Sequence, residues 1–228
     1  MILDWPVRLL KNLMYKKILV FDLDGTLINS HDDIIDSFNY AFKKNKCKEI
    51  GKNFFLINAN KGSKYFINKN LPVNEKYKIN TINNDFIKHY KKNCLNKTKV
   101  KIGVKNFLKW SSKRYINVVS TNKSEFLSRK ILKKLKLIKY INKVFGNDTL
   151  NYQKPDTRHL KRILEIFKIK SKNDCYFFGD SDIDSIMATK SKINFIFVDG
   201  GYISSEKKVA KRNTIKNFKN ARTILLNI

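Results

Sequence analysis

Cysteine, proline and acidic side chains are all scarce in this chain of 228 residues, and each shortage narrows what it can be. The three cysteines, Cys47, Cys94 and Cys175, lie far apart and form no Cys-x-x-Cys pair. That spacing counts against a disulfide framework or a zinc site and implies a reducing compartment, so a cytoplasmic protein is expected. No apolar run is long enough to span a bilayer, and no membrane partner is expected. The opening stretch MILDWPVRLLKNLMYKK carries an early acid and an early proline and does not read as a signal peptide. Met14 begins a strand-first segment, which leaves residues 1–13 as a mis-called start, a loose extension or a functional arm. No linker rich in proline, glycine or serine divides the chain, and no repeat recurs along it.

Acids number only 19 against 48 lysines and arginines, for a net charge of +29. Such a charge attracts phosphate backbones, which raises a nucleic-acid partner as one reading. The lysines, however, are scattered through nearly every segment in pairs such as Lys43-Lys44, Lys91-Lys92 and Lys133-Lys134, with no basic stripe interleaved with aromatics. A lysine-rich compositional bias accounts for this pattern, and the charge bears on solubility and the steering of anions. The scarcity of acids makes the places where they cluster informative.

What remains is an ordinary globular composition, 42% hydrophobic and 12% aromatic, with enough length for one sizeable core. Ile18-Leu19-Val20-Phe21 is short and partly β-branched, a buried strand that stops at Asp22. From His31 the period changes: Ile34, Ile35, Phe38, Ala41 and Phe42 fall at helical spacing, with Ser30 as the N-cap. Ile79, Ile82, Phe86, Ile87 and Tyr90 repeat that spacing, so residues 31–100 read as helical, with polar breaks near 45–53 and 70–75. Beyond them strands at 115–120, 144–145, 175–178 and 195–198 alternate with helices. The expected fold is α/β: a Rossmann-like parallel sheet core with helices on both faces, plus an inserted all-helical cap domain. The core would comprise residues 1–30 and 101–228 and the cap 31–100. In such a sheet ligands bind beyond the carboxyl ends of the strands, where the acids should be sought.

The first strand ends in Asp22-Leu23-Asp24-Gly25-Thr26-Leu27. Two acids one residue apart, followed by glycine, suit a turn that aims both carboxylates over the sheet edge, one as nucleophile and one as general acid/base. This hexamer resembles the opening motif of the haloacid dehalogenase-like hydrolase superfamily, in its phosphoglycolate phosphatase-like branch. Three later segments resemble that family's remaining motifs in order: Val118-Val119-Ser120-Thr121-Asn122-Lys123, Lys154-Pro155, and Gly179-Asp180-Ser181-Asp182-Ile183-Asp184. Asp199-Gly200-Gly201-Tyr202 is similar to its closing loop, so the likeness spans about residues 16–228.

The resemblance implies that Asp22 becomes an aspartyl-phosphate while Asp24 protonates the leaving oxygen and later activates water. It implies a phosphate-binding hydroxyl at Thr121, or at Ser120 if the register slips by one, with the Asn122 amide beside it. Lys154 would hold the phosphoryl oxygens. Mg2+ would sit among Asp22, Asp180, Asp184 and the backbone carbonyl of Asp24, with Asp182 less suited. Asn60 to Lys64 resembles the substrate-reading loop of the cap, which puts Lys61, Gly62 and Lys64 forward as substrate contacts; solvated surface lysines are the other reading. His31, His89 and His159 are isolated and are expected at exposed or half-buried helix positions. The function so implied is hydrolysis of a small phosphorylated metabolite, phosphoglycolate-like or a sugar phosphate, by a monomer or homodimer. A β-phosphoglucomutase-like phosphotransferase would share every catalytic residue, and a nucleic-acid end-processing phosphatase would use the charge.

Overall fold

The computed structural model describes residues 17–58, 62–201 and 213–226. The expectations for residues 1–13, for Lys61 and for Tyr202 therefore lie outside the described residues. Strand β1 (Ile18–Phe21) is the centre of a six-stranded sheet with β4 (Ile116–Ser120), β5 (Lys143–Phe145), β6 (Cys175–Gly179), β7 (Asn194–Val198) and β8 (Thr214–Ile215). The order is β5-β4-β1-β6-β7-β8, and every pairing is parallel. A separate antiparallel pair, β2 (Ile28–Asn29) and β3 (Lys99–Val100), was not legible from the periodicity.

Both faces of the sheet are buried, which is why its strands read as continuous apolar runs. Because side chains alternate along a strand, β1 feeds two cores. Leu19 and Phe21 join Val119, Tyr176 and Phe178 on one face; Ile18 and Val20 join Val118, Cys175 and Phe177 on the other. Helices α5 (Val104–Ser111), α6 (Glu125–Lys134), α7 (Thr157–Ile166), α8 (Asp182–Ser191) and α9 (Ala221–Leu226) alternate with the strands, as the pattern predicted.

Between β2 and β3 stand α1 (His31–Lys44), α2 (Lys52–Asn58), α3 (Ser63–Asn70) and α4 (Ile79–Asn93). Phe38 on α1 joins them, its ring 3.9 Å from that of Phe86 and 4.5 Å from that of Phe66. Asp33, buried in the first turn of α1, accepts the amides of Lys97 and Thr98 at 2.9 and 2.8 Å and the Thr98 hydroxyl at 2.7 Å. This carboxylate binds the start of the helical segment to its end. Ser30 precedes α1 but makes no side-chain capping bond; its hydroxyl goes to Asp24 instead, a correction to its expected role as a cap. Among the described residues, no helix is long and apolar enough to cross a membrane.

Candidate active site

The turns that follow β1, β4 and β6, with the segment leading from β5 into α7, converge on one cavity of about 430 Å³. Asp22, Asp24, Thr121, Asn122, Lys123, Lys154, Asp180 and Ser181 line its polar end. Carboxylate oxygens of Asp22, Asp180 and Asp184, all buried, lie within 4.8 Å of one another. The Lys154 ammonium is 2.6 Å from Asp22 Oδ1 and 2.6 Å from Asp184 Oδ1, and only 2% of its side chain is exposed. Residues 22, 154 and 184, distant in sequence, thus meet around one point.

Several devices hold that point. Thr26 donates to Asp180 Oδ1 at 2.8 Å, and a Cβ at Gly25 or Gly201 would collide with the Asp180 carboxylate. Gly25 also has φ +89°, a conformation that side-chain-bearing residues rarely adopt. Lys101 donates to the carbonyls of Gly25 and Asp199 at 2.7 and 3.0 Å, joining the turn after β1 to the one after β7. Asp184 serves twice. Its Oδ2 accepts the Ser181 hydroxyl at 2.5 Å in a capping box at the start of α8, while Oδ1 faces Lys154.

Electrostatically the cluster is overloaded with negative charge. Burial pushes the Asp22 carboxyl well above its ordinary range; the Lys154 ammonium opposes this, and Asp184 and Asp180 add to it. Burial works against the Lys154 ammonium, yet Asp184 and Asp22 hold it above its ordinary value. Three carboxylates around one ammonium leave an excess that a hard divalent cation would offset, and the donor set is all oxygen. The residues present fit a metal of that kind.

Asp24 points elsewhere. Its Oδ1 accepts from Lys123 Nζ at 2.6 Å and from the Ser30 hydroxyl, beside the carboxylate cluster rather than within it. Lys123 closes the segment that resembles the family's second motif, but nothing in the sequence marks a role for it among the 48 basic residues. The Asn122 amide is spent on the main chain of Lys154, donating to its carbonyl and accepting its N–H, both at 3.1 Å. Thr121 lines the cavity, whereas Ser120 does not. Lys64 is exposed and absent from the lining, while Gly62 contributes to it. The wall opposite the acids is apolar, built by Ile34, Phe38, Phe55, Phe66 and Phe86 from α1 to α4, with Leu127 from α6.

A family model for haloacid dehalogenase-like hydrolases matches residues 19–198. The chain belongs to this family. A phosphoglycolate phosphatase of Mesorhizobium japonicum is 28% identical over 197 residues, covering 83% of this chain and 85% of that protein. One from Aquifex aeolicus is 29% identical over 199 residues, covering 85% and 89%. The crystal structure of a Haemophilus somnus protein described as a predicted phosphoglycolate phosphatase has the same fold. Its TM-score is 0.82 at 23% identity, over 93% of this chain and 99% of that one. This haloacid dehalogenase-like hydrolase therefore resembles, over most of its length, relatives named phosphoglycolate phosphatase.

One buried histidine departs from expectation. His159 is fully buried rather than exposed or half-buried: its Nδ1 donates to the Tyr152 carbonyl at 2.7 Å, and Nε2 lies 3.0 Å from the Ser120 hydroxyl. Burial lowers its pKa, the Tyr152 carbonyl works the other way, Lys154 lowers it further and Asp156 raises it. In the unfolded chain this imidazole takes a proton below pH of about 6.5, whereas the folded protein resists it. Its contribution to stability is therefore present above that pH and is lost as pH falls toward the depressed folded value. Urea unfolding at pH 8 and pH 5.5 should show a smaller acid-induced loss for His159→Gln than for the wild type. Equal losses would refute this account of His159.

Proposed function

We propose that the protein is a Mg2+-dependent phosphomonoesterase that works through a covalent aspartyl-phosphate on Asp22. The observation that carries the reading is the meeting of the Asp22, Asp180 and Asp184 carboxylates with the Lys154 ammonium at the polar end of the cavity, with Asp24 beside them.

An oxygen of Asp22 attacks phosphorus, and the bond from phosphorus to the substrate's alcohol oxygen breaks. Asp24 gives that oxygen its proton, so the alcohol leaves neutral. A water oxygen then attacks phosphorus, Asp24 takes back a proton, and inorganic phosphate departs from a regenerated Asp22 carboxylate. The Thr121 hydroxyl and the Lys154 ammonium meet the non-bridging oxygens, and Asn122 holds the Lys154 backbone in place. Mg2+ would be held by Asp22, Asp180, Asp184 and the Asp24 carbonyl, and when bound it supplies the positive charge that lets an anionic nucleophile approach an anionic phosphate. Helices α1 to α4 act as the cap that excludes water.

The substrate is a small phosphorylated metabolite, in keeping with a cavity of about 430 Å³ and with relatives named phosphoglycolate phosphatase. A phosphoglycolate-like acid or a sugar phosphate is the expected class, and the cytoplasm the expected compartment. A panel of phosphorylated metabolites assayed for phosphate release tests the class. Chelation should remove turnover and added Mg2+ should restore it; Asp180→Asn should raise the Mg2+ concentration needed for half-maximal rate by about tenfold or more. Undiminished turnover in excess chelator would overturn the metal assignment.

A further inference from the structure

Lys123 stands three residues beyond β4, and its side chain is 9% exposed. Its ammonium lies 2.6 Å from Asp24 Oδ1 and 2.8 Å from the hydroxyl oxygen of Tyr90 in the last turn of α4. Tyr90 is itself buried, its ring stacked on Phe86 at 5.6 Å. The same Asp24 oxygen receives the hydroxyl of Ser30 at the head of α1. Both helices that bound the inserted segment therefore reach one carboxylate, α1 through Ser30 and α4 through Tyr90 and Lys123. From this geometry we infer that Lys123 is a positioning residue, which fixes the Asp24 carboxyl at the leaving oxygen while α4 is seated against the sheet core.

The inference rests on the reading of Asp24 as general acid given above. A lysine in a phosphatase cavity has another obvious use, as a direct contact for an anionic group on the substrate. Here the ammonium is already engaged by a carboxylate and a phenol in a largely dry setting, so it offers a second anion little net charge. Holding Asp24 is the use its contacts support. Seating of α4 would then complete the acid only when the cavity is closed, which withholds proton transfer from an open site.

The test separates these uses by the leaving group. Values of kcat/KM, which end at phosphoryl transfer to Asp22, are compared for phenyl and p-nitrophenyl phosphate, aryl esters that differ in their need for a proton on departure. Lys123→Met should lose at least about tenfold more on phenyl phosphate than on p-nitrophenyl phosphate, part of the roughly 10²- to 10⁴-fold that a placed general acid contributes. Tyr90→Phe, which keeps the ring and removes only the hydroxyl, should shift the ratio in the same direction. Placing Lys123→Met in an Asp24→Asn background should cost nothing further, because the lysine acts through that carboxylate. Equal losses on both esters, or an additive loss in the double variant, would overturn the inference while leaving the phosphatase reading intact. A wild type that hydrolyses neither ester in Mg2+ would remove that reading, and the inference with it.

Discussion

Asp22→Asn is expected to abolish phosphate release while leaving the protein folded. The substitution removes the attacking oxygen charge but keeps the shape of the side chain and the backbone bond from residue 22 to the Phe178 carbonyl at 2.9 Å. Loss of a nucleophile costs roughly 10⁴-fold or more in kcat, because the groups around it have nothing left to act with. Stability should move little or rise, since one of three crowded carboxylates disappears from around a single ammonium. Assay on p-nitrophenyl phosphate in Mg2+, with a thermal melt of the same sample, reads both effects. Residual turnover within about tenfold of the wild type would be incompatible with Asp22 as nucleophile.

Lys154→Met should be the most destabilising single change at the site. The ammonium is buried, bonded at 2.6 Å to two carboxylates, and nothing else charged positively lies within bonding distance of Asp22 among the described residues. Taking one partner from a buried ion cluster costs about 3–5 kcal/mol, because the remaining charges stay buried and unpaired. Urea denaturation in chelator should show that loss, and Mg2+ should recover part of it by countering the same excess charge. A midpoint unchanged in chelator would mean that Lys154 does not neutralise the cluster. Turnover should fall as well, by about 10²- to 10³-fold, the usual scale for losing a fixed electrostatic contact to the reacting group.

Much of this was legible from sequence because the family's motifs fall at strand ends. Ile18 to Phe21 is apolar at every position since β1 is covered on both faces, and the apolar run stops at Asp22, which lines the cavity. Asp180 and Asp184 could be paired with Asp22 through the resemblance to the family's motifs, and the rarity of acids in this chain counted against a mere helix-capping turn there. Lys123 closed the second motif-like segment yet its role was not legible: it is one of 48 basic residues, and its partner Asp24 is 99 positions away. Ser30 looked like a helix cap because capping is the common local use of serine before a helix, yet a carboxylate nearby in space took the hydroxyl. His159 read as exposed or half-buried because the Tyr152 and Ser120 partners that satisfy it are supplied by tertiary contacts. Local period and strand-end chemistry are written along the chain; pairings across a sheet are not.

The stereochemical course at phosphorus tests the central claim most directly. A substrate whose phosphoryl group is made chiral with oxygen isotopes would be hydrolysed by the wild-type enzyme in Mg2+, and the configuration of the released phosphate compared with that of the ester. Two successive displacements, first by Asp22 and then by water, predict net retention. Net inversion would show that water attacks the substrate itself, and the covalent role given to Asp22 would be wrong.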